Sequence, residues 1–107
     1  MSPRLLVVSA AGLAVLALGL APALAQGNDT AARYLAANCA NCHGTAGVSQ
    51  GAMPSLAGRK KEYIVEQMSA FREGKRPATL MHQMAKGYTD AQIDAIAEHF
   101  ARQPAAR

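Results

Sequence analysis

The sequence predicts an all-α fold with three to four short helices and long loops. Apolar residues recur at helical spacing over 60–73 and 89–102, and good helix formers fill 30–38. No stretch alternates apolar and polar residues as a half-buried strand does, and there is no internal repeat. With 107 residues, the chain has room for one small domain.

The N-terminal residues predict a secretory signal peptide over 1–25. A single positive side chain, Arg4, precedes an apolar stretch, and the next charge is Asp29. Small residues at Ala23 and Ala25 suit a signal peptidase, so we expect cleavage after Ala25 and one domain over 26–107. The alternative is an uncleaved anchor, because the stretch approaches the ~20 apolar residues that cross a bilayer. Either outcome takes the domain out of the cytoplasm.

The first helix is predicted over 30–38, where Asn28 and Asp29 are candidate N-caps. It runs into the sequence CANCHG. Residues 45–58 then predict a loop, because they are dense in Gly, Ser and Pro and show no period.

The second helix is predicted over 60–73, with an apolar stripe and Gly74 at its end. A short apolar and polar piece over 79–88 follows. Thr89 and Gln92 then form a predicted capping box that opens the last helix. One face of that helix is apolar, with Ile93, Ile96, Ala97 and Phe100.

The two cysteines of the chain, Cys39 and Cys42, are followed at once by His43. C-x-x-C-H is the attachment signature of c-type haem. In this pattern two thioether bonds pin the porphyrin edge to the backbone, and the histidine reaches the iron. A haem would also fill the space that long loops enclose in so small a domain.

Three other interpretations use the same residues. A thioredoxin-like dithiol lies at a strand-to-helix junction, and no strand is predicted here. A structural zinc site needs four ligands, and His82 and His99 do not complete a matched set. A disulfide between Cys39 and Cys42 would close too small a loop to stabilise much.

The sixth iron position decides between carrier, sensor and catalyst. A methionine thioether there raises the potential and blocks other ligands. Met68 lies on an apolar stripe and is expected in the core, and Met53 in the loop is expected to pack against the ring. Met81 and Met84, in a segment able to cover the opposite face, are the main candidates, and His82 is a weaker one. His99 is placed on the polar side of the last helix and receives no role.

These residues resemble the class I, monohaem-domain cytochromes c of bacteria. The stretches AANCANCHG, MPSLAG, YIVEQMSAFREGKR and AIAEHFARQ carry the resemblance, and PATLMHQMAKGYTD is similar to the cytochrome subunit of flavocytochrome c sulfide dehydrogenases. That subunit usually has two haem domains, whereas this chain has one C-x-x-C-H. The resemblance implies one covalent haem c, and the predicted signal peptide indicates a periplasmic location.

The resemblance also implies roles for single residues. His43 would be the proximal ligand, with its other ring nitrogen donating to the Pro54 carbonyl. Met81 matches the axial methionine and Met84 is the runner-up, while Arg59 would contact a haem propionate. The first and last helices would cross, with Ala31 and Leu35 meeting the face that carries Ile96 and Phe100.

The leading hypothesis is a periplasmic carrier of single electrons with no substrate chemistry of its own. Its partners would be redox proteins, among them a flavoprotein or a terminal oxidase. Three alternatives remain: a haem subunit of a flavin-dependent sulfide dehydrogenase, a haem protein with an open sixth position, and a haem-free thiol oxidoreductase. The net charge of +4 gives no reason to expect nucleic acid.

Several basic residues are candidates for steering acidic partners toward an exposed haem edge. They are Arg59, Lys60, Lys61, Arg72, Lys75, Arg76 and Lys86. The alternative is an ordinary solvated surface.

Overall fold

The computed structural model describes residues 21–107, with side chains described from Asn28 onward, so most of the predicted signal peptide lies outside the described residues. Residues 21–107 contain no strand, which confirms the all-α class. The elements are α1 (Ala21–His43), a 3-10 turn (Thr45–Gly47), α2 (Lys61–Arg72), α3 (Met81–Lys86) and α4 (Asp90–Ala101). Within this range no helix combines the length and apolar character needed to cross a membrane.

α1 is longer than the predicted 30–38 at both ends. Asn28 and Asp29 do not cap it, because the alanine-rich sequence before them continues the helix. At the other end the helix continues until Gly44, which has a positive φ of 86°. As a result the whole C-x-x-C-H sequence lies in helical backbone.

The face by which α1 meets α4 differs from the predicted one. Ala32 and Ala36 are buried, and Leu35 packs partly buried against the core as predicted. Ala31, which was expected on this face, is exposed. The prediction for Ala31 was wrong because the helix phase places its neighbour Ala32 inward.

α2 and α4 lie within a residue or two of their predicted ranges. The capping box of α4 is confirmed: Thr89 Oγ1 accepts from the Gln92 backbone N–H at 3.2 Å, and the Thr89 N–H donates to Gln92 Oε1 at 2.9 Å. On α2, Ile64 and Met68 are buried, whereas Tyr63 is 44% exposed.

The core forms where α4 packs on α1 and α2, and α3, which also packs on α2, contributes Ala85 to it. Three of its eight members are alanines, so little apolar area is buried and the chain alone gains limited hydrophobic stabilisation. The members are Ala36, Ile64, Met68, Ala85, Ile93, Ile96, Ala97 and Phe100.

Candidate haem site

The last turn of α1 presents the two cysteines and the histidine together. Cys39 and Cys42 are three positions apart and therefore lie on neighbouring parts of the helix surface. Both thiols are free. Cys39 packs half-buried against the core, and this burial raises the pKa of its thiol, whereas Cys42 is exposed.

His43 is the buried histidine of the site, with 6% of its surface exposed. Its Nδ1 lies 2.7 Å from the carbonyl oxygen of Pro54. A carbonyl only accepts, so Nδ1 carries the proton and donates, and the lone pair remains on Nε2. This is the tautomer and the contact that orient an imidazole as a metal ligand.

Two glycines bring the Pro54 loop to the histidine. A Cβ on Gly44 would lie 1.8 Å from the Val48 carbonyl oxygen, so the sharp turn after His43 needs glycine. The Gly47 carbonyl then accepts from the backbone N–H groups of Leu56 and Ala57, at 2.8 and 3.1 Å. These bonds fix the loop that carries Pro54. The expected loop over 45–58 was confirmed, but the role of its glycines was not foreseen.

The methionines have distinct surroundings. Met68 is buried in the core, as expected, and Met53 is 50% exposed. Met81 and Met84 lie on the short helix α3, both half-buried. Of these two, Met81 packs against the core cluster.

The core is bordered by apolar side chains that stay half-buried. They include Cys39 from α1 and Met81 from α3, together with Leu35, Leu56, Val65, Phe71 and Tyr88. A flat apolar ring system would cover such side chains. The two free thiols are the groups that haem c needs for its covalent bonds, and the Nε2 lone pair and a methionine thioether are ligands that suit its iron. The residues therefore fit a haem c.

Comparison with known proteins decides the family. The family model for subunit III of the cbb3-type cytochrome c oxidase matches residues 25–100. The chain belongs to this cytochrome c family. It is 38% identical over 96 residues to the cytochrome subunit of sulfide dehydrogenase from Chlorobaculum tepidum, a match that covers 90% of this cytochrome and 87% of that protein.

Two further comparisons involve longer proteins. The cytochrome is 42% identical over 67 residues to a thiosulfate dehydrogenase electron acceptor from Stutzerimonas stutzeri, covering 59% of this chain and 31% of that one. A solved cytochrome c4 from Acidithiobacillus ferrooxidans aligns with a TM-score of 0.57 and 41% identity, over 59% of this chain and 37% of that chain. This cytochrome thus spans about a third of either protein.

These relationships confirm the class of function and the class I cytochrome c fold. The cytochrome is an electron-transfer protein, its cofactor is haem c, and its partners are redox proteins. Because the match covers 87% of the C. tepidum relative, that cytochrome subunit of sulfide dehydrogenase is about as long as this chain.

The basic residues are not uniformly available to partners. Lys61 lies 2.9 Å from Asp94, which raises the pKa of Lys61, and Lys75 pairs with Glu73. Arg72 pairs with Asp90 at 2.7 Å. Among the described residues, no carboxylate pairs with Arg59, Lys60, Arg76 or Lys86.

The other polar residues considered in the sequence lie in three different surroundings, and they are Arg59, His82 and His99. Arg59 Nε donates to the Ser55 carbonyl at 3.4 Å, and its guanidinium lies 5.8 Å from the centre of the Tyr63 ring. His82 has a buried Nδ1 that has no hydrogen-bond partner in the described part of the chain. His99 was expected on a polar face, but it is half-buried and its ring lies edge-on to Phe100 at 5.3 Å.

Proposed function

We propose that this cytochrome carries single electrons in the periplasm through one haem, bound covalently at Cys39 and Cys42 and ligated by His43 and Met81. The observation that carries the proposal is the hydrogen bond from His43 Nδ1 to the Pro54 carbonyl, which leaves Nε2 free on a buried ring beside two free thiols. The match to a cytochrome c family over residues 25–100 supports a haem site of this kind.

Each residue has a distinct task. Cys39 and Cys42 would hold the haem through thioether bonds formed when their thiols add to its two vinyl groups. His43, held by Pro54, would supply the proximal nitrogen, and Met81 would supply a thioether that favours the reduced state. A haem bound by these residues would supply a ferrous/ferric couple for one electron. Arg59 would contact a propionate.

Export is part of the proposal. Residues 1–25 have the charged start, apolar stretch and small-residue end of a signal peptide, and the family match begins at residue 25. Haem is attached to such motifs after export. We therefore place the mature domain, residues 26–107, in the periplasm.

Replacing either cysteine tests the attachment. Cys39→Ala or Cys42→Ala should yield little stable holoprotein, because the small core relies on the tethered ring. The measurement is haem staining of periplasmic extracts after denaturing electrophoresis, with Tyr34→Ala, at a side chain of α1 that is 73% exposed, as control. Full yield of a folded, haem-free Cys39→Ala protein would contradict the proposal.

Replacing the two α3 methionines separately tests the sixth ligand. Met81→Ala should abolish the thioether-to-ferric-iron charge-transfer band and let carbon monoxide bind the ferrous iron. Met84→Ala should keep the band and destabilise the fold modestly, since Met84 is half-buried. The reverse pattern would assign the iron to Met84.

A second candidate function is that of a haem subunit in a flavin-dependent sulfide dehydrogenase. It is favoured by the relative from C. tepidum, whose length this cytochrome nearly matches. The test asks first whether a flavoprotein gene lies adjacent to the gene of this cytochrome, and then measures by stopped flow whether that flavoprotein, reduced by sulfide, reduces the cytochrome. Rapid reduction together with co-purification supports a stable subunit, whereas rapid reduction without co-purification supports a free carrier.

A further inference from the structure

The chain over 77–88, between α2 and α4, is attached to the rest of the protein by packing and, within residues 28–107, not by hydrogen bonds of its own. We call this stretch, which includes α3, the methionine segment. Its hydrogen bonds outside regular helix are internal: Gln83 and Met84 donate to the Leu80 carbonyl, and Gly87 donates to the Met84 carbonyl. Within the described part of the chain, no hydrogen bond joins this segment to any other element.

Packing supplies the direct attachment of this segment. Ala85 is fully buried, and Met81 and Tyr88 pack half-buried against the core. A segment that is attached by packing alone lacks the hydrogen bonds to the body that would oppose its local opening. The position of Met81 therefore depends on how firmly the two ends of the segment are held.

The first end is held by Arg76, immediately before the segment. Its guanidinium donates to Gln67 Oε1 and lies 4.7 Å from the centre of the Phe71 ring. The backbone N–H of Arg76 donates to the Ala70 carbonyl at 3.2 Å. Hydrogen bonding and a cation over an aromatic face both fix this side chain.

The second end is held by Asp90, two residues after the segment. Its carboxylate accepts from Arg72 Nη1 at 2.7 Å. Arg72 Nε and Nη2 are buried and have no hydrogen-bond partner among residues 28–107. Within these residues, Asp90 is therefore the one acceptor of the Arg72 guanidinium. Gln67, Phe71 and Arg72 all lie in the C-terminal half of α2, so both ends of the segment are bound by the same half of one helix.

We propose that Gln67, Phe71 and Arg72 form a clamp that closes the methionine segment through Arg76 and Asp90, and that this clamp determines how often the sixth ligand leaves the iron. The inference rests on the proposed function in that Met81 is that ligand. Holding the two ends together reduces the conformations open to the segment, and so keeps Met81 facing one site. Arg72 and Arg76 are positioning residues.

Asp90→Asn is the test, and Asp94→Asn is its matched control. Both aspartates lie on α4 and pair with a basic residue of α2, but only the Asp90 pair lies beside the segment. The measurement is the rate at which saturating imidazole replaces methionine on the ferric iron of the holoprotein. Asp90→Asn should raise this limiting rate about two- to fivefold, as expected for an exposed ion pair, and Asp94→Asn should leave it unchanged.

Arg76→Met is the second variant, because methionine keeps an apolar stem and removes the guanidinium. It should raise the limiting rate about tenfold, since a partly buried hydrogen bond and a cation–aromatic contact are both lost. Denaturant midpoints of all three variants provide a separate measure of global stability.

Two results would overturn the clamp: equal acceleration by Asp90→Asn and Asp94→Asn, or unchanged rates in both Asp90→Asn and Arg76→Met. If either result is found and the charge-transfer band is absent in Met81→Ala, the proposed ligation stands and only the clamp fails. If the band persists in Met81→Ala, the proposed ligation itself fails.

Discussion

Gly47→Ala should destabilise the protein both through backbone strain and through a clash with a buried aromatic ring. Gly47 has a φ of 79°, which strains a residue with a side chain by about 1–2 kcal/mol. An added Cβ would also lie 2.7 Å from Cδ1 of Phe100, which is 1% exposed and has no free space to move into. Overpacking of this kind adds about 1–3 kcal/mol. Together the free energy of unfolding should fall by about 2–5 kcal/mol.

Two other glycines separate strain from overpacking. Gly74 has a φ of 73° with nothing within 4 Å of an added Cβ, so Gly74→Ala should lose only the strain energy, about 1–2 kcal/mol. At Gly51 an added Cβ also meets nothing within 4 Å and φ lies outside the positive range, so Gly51→Ala should be neutral or slightly stabilising. Guanidinium chloride unfolding, followed by circular dichroism, measures all three. Equal losses in Gly47→Ala and Gly74→Ala would refute the contact with Phe100.

Two further predictions concern charge. Burial lowers the pKa of His99 below its usual value of 6.5, with Asp29 opposing and Arg102 and Arg33 reinforcing the shift. Below pH 6.5 the folded state therefore binds fewer protons than the unfolded state, and the free energy of unfolding falls as the pH drops through this range. His99→Gln should reduce this loss of stability, and denaturant midpoints measured against pH test the prediction. Electron transfer with an acidic partner should slow as salt rises, because exposed charges are screened over about 10 Å at 0.1 M. Lys86→Gln should weaken that salt dependence more than Lys75→Gln, because Lys75 already pairs with Glu73; rates indifferent to salt would favour an ordinary solvated surface.

Elements with a local sequence signal were predicted well. The capping box at Thr89 and Gln92 and the stripe through Ile93 and Phe100 mark α4 because each depends on residues within one or two turns. The C-x-x-C-H sequence likewise carries its chemistry in five consecutive residues. The start of α1 was missed because Asn28 and Asp29 are good caps that alanine-rich sequence overrides.

The features that were missed depend on contacts distant in sequence. Gly47 is needed because Phe100 lies against it, and nothing near Gly47 in the sequence shows that approach. The pairing of Arg72 with Asp90 spans eighteen positions, so composition alone counted Arg72 as a free surface charge. His99 is half-buried because α4 packs with Phe100 inward and α1 alongside, which a helical wheel of one element does not reveal.

Intact-mass spectrometry of the denatured protein, purified from the periplasm, tests the central claim most directly. We expect one species: a chain that begins at Gln26 and carries the added mass of one haem, which persists after acid and organic extraction. A chain with two unmodified thiols, or one two hydrogens lighter through a bond between Cys39 and Cys42, would contradict covalent haem attachment.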